Sequence, residues 1–491
     1  MSAGGDATVH ARKLDLRPVS LITGLLLAIL ASTMLVPAAV AWGSDYEGRW
    51  VFATVAAFTF FVGGTVVLAS RIGTFRLSLR QAFVLTTAIW VVLPAFAALP
   101  FMFSGLGLSY TDAFFEAMSG LTTTGSTVIS GLESVLPDIL LWRALLQWLG
   151  GIGILFTALL VLPTLGVGGM QMFRVEAIAA HERLVPRVAS LSTGLVALYI
   201  TLTALWALAL WMLGMSGFDA VTHAMTTLST GGFSTYDQSI ATFDNSLIEI
   251  VIVTGMIAGS LPFLLYLQAI RGTPELLLRD TQVRAFLTTL GIAIVLVFAW
   301  LWLVLDQSLF HAIRMAIFAT TSMMTGTGYT LGDPWQWGGL PVIILFFLSF
   351  IGGCAGSTTC AIKVFRFQIL YAMAKTQMAK LLQPHGVFIP YYNHRPIPAG
   401  VSEAVLGFFF LYAFAFAIIS ILLSLIGLDF AHALSAAAMA LSNVGQGTGI
   451  GCLSFAHLPD SAKWLLSAAM LVGRLEMFSV LVLFLPDFWR A

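Results

Sequence analysis

Four short segments rich in threonine, serine and glycine interrupt a chain that is otherwise strongly apolar. They read TTTG at 122–125, STGG at 229–232, TGTG at 325–328 and SNVG at 442–445. Backbone carbonyls and hydroxyls arranged around one axis can replace the hydration shell of a cation. Glycine suits such segments because it adopts positive φ and lets another backbone approach closely. The four segments therefore predict oxygen-lined loops that bind a cation.

The composition indicates that these loops lie in a membrane protein. The chain has 491 residues, of which 59% are hydrophobic and 9% are charged, and its formal net charge is zero. Soluble domains carry roughly 25% charged residues, so we predict a polytopic membrane protein. A net charge of zero gives no support for nucleic-acid binding.

Transmembrane helices are predicted from the long apolar stretches, since a spanning helix needs about 20 such residues. Ten stretches qualify: 19–42, 51–70, 82–103, 139–163, 188–214, 246–270, 285–305, 340–362, 401–427 and 464–486. The residues before the first stretch do not resemble a secretory signal, so we expect that stretch to be retained as a helix. Ten spans place both termini on one side of the membrane.

The basic residues predict which side that is. All but five of the 23 lie in segments on the side of the N-terminus, the exceptions being Arg49, Arg143, Arg314, Lys463 and Arg474. Both termini are therefore expected to be cytoplasmic. The opposite connections carry mainly acidic residues, which either concentrate cations at an outer mouth or are merely tolerated there.

The last eight stretches form four pairs, and each outer connection holds a short apolar segment followed by one Thr/Gly segment. Such segments suit re-entrant pore helices, whose partly negative C-terminal ends favour a cation. Non-helical backbone survives at membrane depth only where it is buried or lines a watery cavity. Packing between helices would explain one Thr/Gly segment equally well, but four aligned copies favour a filter.

The predicted fold is thus an all-α polytopic membrane protein. It has two N-terminal helices plus four helix–pore-helix–filter–helix repeats around one pseudo-fourfold pore. With these repeats, the sequence resembles the Trk/Ktr/HKT superfamily of potassium transporters, and within it the TrkH/TrkG family. The matching segments are TTTGST, STGGFSTYDQSI, GTGYTLGDP, SNVGQGTG, QWLGGIGILFTALLVLP, GGCAGSTTCAIKVFR and GRLEMFSVLVLFLP, which extend from about residue 110 to 486.

The resemblance implies potassium uptake across the bacterial inner membrane by a homodimer with one pore per subunit. It also implies regulation by a cytoplasmic TrkA-like nucleotide-binding ring. The chain has no G-x-x-x-x-G-K-[ST] phosphate loop, so any nucleotide effect is expected to come from that partner. We expect potassium as the transported ion, no organic cofactor in this chain and no enzymatic activity.

The resemblance also implies which residues form the filter. The carbonyls are expected from Thr123 and Thr124, Thr230 and Gly231, Gly326 and Thr327, and Asn443 and Val444, next to Gly125, Gly232, Gly328 and Gly445. The third and fourth segments depart from the Thr-Thr pattern of the first. An uneven filter is expected to discriminate potassium from sodium less sharply than four identical strands would.

A gate is expected where FIGGCAGSTTCAIK, residues 350–363, interrupts an apolar stretch. Small and hydroxylated residues favour local unwinding, although tight helix packing is the alternative. In the resembling family this segment is an intramembrane loop that obstructs the pore below the filter. The gate residues implied are Gly352, Gly353, Gly356, Ser357, Thr358, Thr359, Lys363 and Arg474.

Arg474 joins the gate residues because it lies within an apolar stretch. A charge there is costly and usually faces a cavity or a partner, and the resembling family has an arginine at the matching point. We expect a gating or electrostatic-barrier role, with a buried structural ion pair as the alternative.

The remaining residues are assigned structural roles or contacts. Gly150, Gly151 and Gly153 are expected to permit close helix packing, and Arg143 to snorkel or pair. The three cysteines, Cys354, Cys360 and Cys452, are expected to pack between helices. The connector at 383–398 is either a docking surface for the regulatory ring or a plain linker.

The chain divides accordingly into a cytoplasmic N-terminus at 1–18, two extra transmembrane helices at 19–81, repeat 1 at 82–187, repeat 2 at 188–284, repeat 3 with the gate loop at 285–400 and repeat 4 at 401–491. The alternative function is a secondary active cation symporter of the same superfamily, coupled to protons or sodium. A transporter built from inverted repeats is disfavoured, because all four filter segments fall in outer connections.

Overall fold

A computed structural model describes residues 14–43, 47–71, 77–158, 167–170, 184–393, 395–445 and 455–490, and these are mostly helical. Two N-terminal helices, α1 (Arg17–Trp42) and α2 (Val51–Ala69), pack against each other at two glycines. A Cβ added to Gly24 would lie 2.9 Å from the carbonyl oxygen of Gly63, and one added to Gly63 would lie 2.8 Å from that of Gly24. The two backbones are therefore in direct contact, as small residues allow in membranes.

The rest of the chain repeats one order of elements: a long helix, a short buried helix, a loop and a second apolar helix, which is continuous in repeat 1 and broken in the other three. Repeat 1 contains α3 (Leu79–Ala97), α4 (Leu99–Phe103), α5 (Tyr110–Leu121) and α6 (Pro137–Phe156). Repeat 2 contains α7 (Leu184–Met212), α8 (Gly217–Leu228), α9 (Ser246–Ser260) and α10 (Phe263–Ile270).

Repeat 3 contains α11 (Glu275–Arg279), α12 (Thr281–Leu303), α13 (Leu309–Met324), α14 (Gly339–Ile351) and α15 (Val364–Leu382). A small antiparallel hairpin follows, with β1 (Tyr391–Tyr392) paired to β2 (Arg395–Pro396). Repeat 4 contains α16 (Ala399–Ile426), α17 (Phe430–Ser442), α18 (Asp460–Arg474), α19 (Phe478–Leu481) and α20 (Pro486–Arg490).

The short helices α5, α8, α13 and α17 have 12, 12, 16 and 13 residues. At 1.5 Å per residue the longest extends about 24 Å, less than the roughly 30 Å hydrocarbon core. Their side chains are largely buried, whereas the long helices expose many apolar side chains. The short helices therefore form the centre of the molecule, surrounded by helices suited to face lipid.

The prediction of a continuous span is wrong for two of the ten stretches, and a third is interrupted as expected. Within the described residues, seven helices are long and apolar enough to span, and two further helix pairs are sharply bent. The stretch at 246–270 bends by 96° between α9 and α10, and that at 464–486 bends by 109° after α18. The stretch at 340–362 is helical only to Ile351.

Each break has a local backbone cause. Pro262 precedes α10 and cannot donate a helical hydrogen bond. Gly352 ends α14 with a φ of 71°, and Glu476 and Met477 follow α18 with φ values of 57° and 46°. Left-handed residues cannot continue a right-handed helix. The unwinding expected after Phe350 is thus present, whereas the other two bends were not predicted.

Candidate functional site

Each short central helix is followed, one or two residues after its last residue, by a residue with left-handed backbone conformation. The amide of that residue donates to the carbonyl three residues earlier in all four repeats. The four residues are Thr123 (φ 52°), Thr230 (φ 53°), Gly326 (φ 76°) and Asn443 (φ 52°). A left-handed residue is a common helix terminator because it satisfies the last carbonyls. The Thr/Gly segments aligned from the sequence therefore share the left-handed conformation at their second residue.

The four loops, numbered 1 to 4 in chain order, comprise residues 122–125, 229–232, 325–328 and 442–445. They contact one another in a closed ring. A Cβ added to the last glycine of each loop would meet the backbone of the loop in the next repeat. The contacts are Gly125 with Gly231 O, Gly232 with Thr327 O, Gly328 with Gly445 N at 2.7 Å, and Gly445 with Thr124 O at 3.2 Å. The order of contacts is therefore 1–2–3–4–1, which is consistent with a pseudo-fourfold arrangement.

The twelve residues predicted for the filter are all brought into this ring. Eleven are buried, and Gly232 is half-buried. Added side chains at Gly125 and Gly232 would overlap the oxygens of Gly231 and Thr327. These two positions therefore require glycine because there is no room for a side chain. Their positive φ values of 88° and 76° are a second reason.

The threonines in loops 1 and 3 support their own loops in the same way. Thr122 Oγ1 lies 2.8 Å from Thr124 Oγ1, and Thr325 Oγ1 lies 2.8 Å from Thr327 Oγ1. In loop 4, by contrast, Asn443 Nδ2 donates to Thr124 Oγ1 of the neighbouring loop 1 at 2.9 Å. The departure of loop 4 from the threonine pattern thus changes how that loop is held.

Loop 2 is held by Gln147 of α6, a residue that the sequence did not single out. Gln147 Nε2 donates to the carbonyl oxygen of Gly231 at 2.7 Å, and its Oε1 accepts from the amide of Phe233 at 3.0 Å. A carbonyl oxygen has two lone pairs, and this hydrogen bond occupies one of the two on Gly231 O. A polar side chain in an apolar helix was the available signal for Gln147.

Arg143 of α6 is buried and paired. Pairing was one of the two roles expected for it, the other being snorkelling. Its Nε donates to Glu116 Oε1 at 2.8 Å, and its Nη1 donates to the carbonyl oxygen of Ser234 at 2.9 Å. Glu116 also accepts from Thr127 Oγ1 and the amide of Val128, each at 2.9 Å. Because Ser234 follows loop 2 while Val128 follows loop 1, this ion pair joins the outer ends of two neighbouring loops.

The segment predicted as a gate is a non-helical loop, and every residue from 352 to 363 is buried. It fits into the bend between α9 and α10. Cys354 N donates to Ser260 O at 3.0 Å, Thr358 N donates to Gly259 O at 3.1 Å, and Phe263 N donates to Gly356 O at 3.0 Å. The break in repeat 2 thus provides the backbone partners that the unwound segment of repeat 3 needs.

The loop is also held by its own hydroxyls. Gly353 N donates to Thr359 Oγ1 at 3.1 Å, and Ser357 Oγ lies 2.7 Å from Thr359 Oγ1. Ser357 Oγ also donates to Cys354 O at 2.7 Å. These side chains replace the helical hydrogen bonds that the unwound backbone lacks, as buried polar groups require.

Thr358 brings this loop into contact with loop 2, one of the four predicted filter segments. Its Oγ1 lies 3.0 Å from Leu228 O, 2.9 Å from Gly259 O and 3.2 Å from Thr230 Oγ1. Leu228 is the last residue of α8, and Thr230 is the left-handed residue that follows. A single hydroxyl therefore connects the two predicted functional segments.

Arg474 lies against the same loop and is only 1% exposed. Its Nη1 donates to Thr358 O at 3.3 Å and contacts Cys360 Sγ at 2.7 Å, while its Nη2 donates to Gly150 O at 3.0 Å. None of the ion pairs within the described residues involves Arg474. The expected proximity to the loop is observed, whereas the alternative of a structural ion pair has no support there.

Glu476 is a buried residue whose partners were not foreseen. Its carboxylate pairs with Lys363 Nζ at 3.0 Å and with the guanidinium of Arg366. Arg366 also donates from Nε to Gly168 O at 2.9 Å. Lys363 and Arg366 were counted among the cytoplasmic basic residues, but both are almost fully buried in protein. The triad ties the end of the loop to the bend after α18.

The predicted close packing at α6 is present at two of its three glycines. An added Cβ would overlap Leu121 O at Gly150 and the Tyr199 hydroxyl at Gly151. At Gly153 it would make an ordinary contact of 3.5 Å with Trp90, so that glycine is not required by space. Cys354 and Cys360 are buried as expected, and Cys452 lies outside the described residues.

Comparisons with known proteins agree with this architecture. A family model described as TrkH, cation transport protein, matches residues 48–490. The Trk system potassium uptake protein TrkI of Halomonas elongata is 41% identical over 414 residues, covering 84% of each chain. TrkH of Salmonella typhimurium is 36% identical over 481 residues, covering 96% of this chain and 99% of the relative. The crystal structure of the potassium transporter TrkH from Vibrio parahaemolyticus aligns with a TM-score of 0.91 at 36% identity, covering 97% of this chain and 100% of that one.

Proposed function

Because this chain belongs to the TrkH family of cation transport proteins, we propose that it carries potassium into a bacterial cell across the inner membrane. Potassium passes through a filter of backbone oxygens, and an intramembrane loop gates the pore. A cytoplasmic nucleotide-binding partner of the TrkA type regulates the gate. The protein works as a homodimer with one pore in each subunit, and potassium is its transported ion.

The observation that carries this proposal is the closed ring of four loops. The second residue of each loop is left-handed, and the four loops contact one another in the order of the repeats. Carbonyls from Thr123, Thr230, Gly326 and Asn443 and from the residues that follow them then surround a dehydrated potassium ion. The C-terminal ends of the four short helices add a favourable potential for a cation.

The contacts of Thr358 and Arg474 support the gating role of residues 352–363. A buried guanidinium next to the ion pathway opposes a cation electrostatically, and pore-lining arginines act as such barriers. Because Arg474 bonds to the loop at Thr358 O and to α6 at Gly150 O, it also holds the loop in place. Opening then requires that the loop and this charge move together.

The connector that contains the β1–β2 hairpin is the proposed docking surface for the regulatory partner. Residues 383–391 are mostly exposed, including Val387 at 91%. The connector follows α15 directly, and α15 begins where the gate loop ends. A partner that pulls on the hairpin would therefore act on the gate through one continuous helix.

Uptake by the reconstituted full chain tests the proposal. Proteoliposomes loaded with potassium, with equal pH and sodium on both sides, should accumulate tracer rubidium until the potassium gradient dissipates. Uptake that appears only with an imposed proton or sodium gradient would instead establish the alternative, an ion-coupled symporter. Absence of rubidium and potassium flux under every gradient would refute potassium transport.

A further inference from the structure

A cavity of about 910 Å³ opens between α12, α15 and the segment 387–393. It lies outside the ring of filter loops. It reaches the gate loop only at the two residues that flank it, Ile351 and Val364. One wall of it, the segment 387–393, belongs to the connector proposed above as a docking surface, but the proposed function assigns no role to the space between that segment and the two helices.

The cavity is amphipathic along its length. At its inner end it is lined by Ile351, Val364 and Ala285, and towards the surface by Lys375 and Thr376. The α15 lining extends from Val364 to Ala379, which corresponds to about 22 Å of helix. One leaflet of hydrocarbon is about 15 Å thick, so the cavity spans an acyl region and the polar boundary beside it.

Charge favours an anion at the end of the cavity that opens to the surface. Lys375 is the one charged residue in the cavity lining, which contains no acidic side chain. Arg284 and Lys380 are exposed in the same part of repeat 3, on the side that the basic residues assign to the cytoplasm, whereas Arg279 there is paired with Glu275. Anionic headgroups are attracted to basic residues at that surface, and basic pockets between helices there bind lipid headgroups.

We propose that this cavity binds one anionic glycerophospholipid. Its phosphate lies at Lys375, and one acyl chain follows α15 to Val364 beside the gate loop.

The test measures lipid retained by the purified full chain, which does not depend on the filter or the gate being correctly assigned. The chain is purified from membranes containing phosphatidylglycerol and phosphatidylcholine, and bound lipid is counted by mass spectrometry. We expect about one phosphatidylglycerol per chain. Ala372→Trp, which fills the cavity, should abolish its retention, whereas Ala374→Trp on the exposed side of α15 should not.

Charge is tested separately with two lysines of the same helix. Lys375→Ala should lower the preference for phosphatidylglycerol over phosphatidylcholine about fivefold, as expected for one basic residue at an anionic surface. Lys380→Ala, outside the cavity, should leave the preference unchanged. The proposal is overturned if Ala372→Trp retains the lipid. It is also overturned if that variant alters only the dimer-to-monomer ratio, which would assign the cavity to a second copy.

Discussion

Asn443 in filter loop 4 donates a hydrogen bond from Nδ2 to Thr124 Oγ1 in filter loop 1, at 2.9 Å. The same nitrogen donates to Met470 O of α18, also at 2.9 Å. Asparagine tolerates the left-handed conformation better than most residues, and Asn443 has a φ of 52°. The residue at this position therefore provides both a permissive backbone and a side chain that joins the last loop to the first.

Replacing Asn443 by glycine separates these two contributions. Asn443→Gly keeps a residue suited to positive φ but removes both side-chain hydrogen bonds, each worth about 0.5–1.5 kcal/mol. We expect transport to persist while the preference for rubidium over sodium falls severalfold. Competition between the two ions in proteoliposome uptake measures this preference, and an unchanged ratio would show that the side chain does not support the filter.

Adding one methyl group at the ring should block uptake. In Gly232→Ala and Gly125→Ala the new Cβ would overlap a carbonyl oxygen of the neighbouring loop, and both positions have positive φ. We expect neither variant to support growth of a potassium-uptake-deficient bacterium on low potassium. Gly64→Ala, which has no atom within 4 Å of its added Cβ, is the matched control and should grow normally. If both ring variants transport and select as the parent does, the filter assignment is wrong.

Removing the charge at Arg474 should raise the flux without altering ion preference. Arg474→Ala removes a buried positive charge and its bonds to Thr358 O and Gly150 O, but it leaves the ring glycines in place. Rubidium influx into proteoliposomes at matched protein content should increase several-fold, with the rubidium-to-sodium ratio unchanged. Unaltered or decreased influx in correctly folded protein would remove Arg474 from the gate.

The Arg143–Glu116 pair should contribute mainly to stability. Arg143→Met leaves Glu116 buried without its partner, and breaking a buried pair in this way costs roughly 3–5 kcal/mol. Thermal unfolding in detergent should show a large decrease in midpoint for this variant. The double variant Arg143→Met with Glu116→Gln should recover much of the loss, because no unpaired charge remains. Strict additivity of the two single substitutions would contradict a direct coupling.

The sequence predicted the features that depend on local composition. The four Thr/Gly segments lie where expected because glycine and short hydroxylated residues mark backbone that leaves the helix. The unwound segment after Ile351 was predicted for the same reason. Hydropathy could not foresee the 96° and 109° bends, since an apolar stretch scores equally whether it continues or turns.

Long-range partners were the other part that sequence reasoning missed. Gln147 bonds to Gly231, which is 84 positions away in the chain, and Glu476 pairs with Lys363, which is 113 positions away. Nothing near either residue in the chain identifies those partners. Their position within apolar stretches of the sequence was the available signal, because a polar group in a membrane requires a partner. The partner itself emerges only when the repeats are assembled.

The hydroxyl of Thr358 has a consequence for any open conformation. The hydroxyl lies within hydrogen-bond distance of Leu228 O, Gly259 O and Thr230 Oγ1, so displacing residues 352–363 would expose oxygens at the base of loop 2. The proposed gate would then also support the proposed filter. We therefore expect a variant whose loop is permanently displaced from Leu228 O to pass more sodium for each potassium ion, unlike Arg474→Ala, which leaves the Thr358 hydroxyl in place.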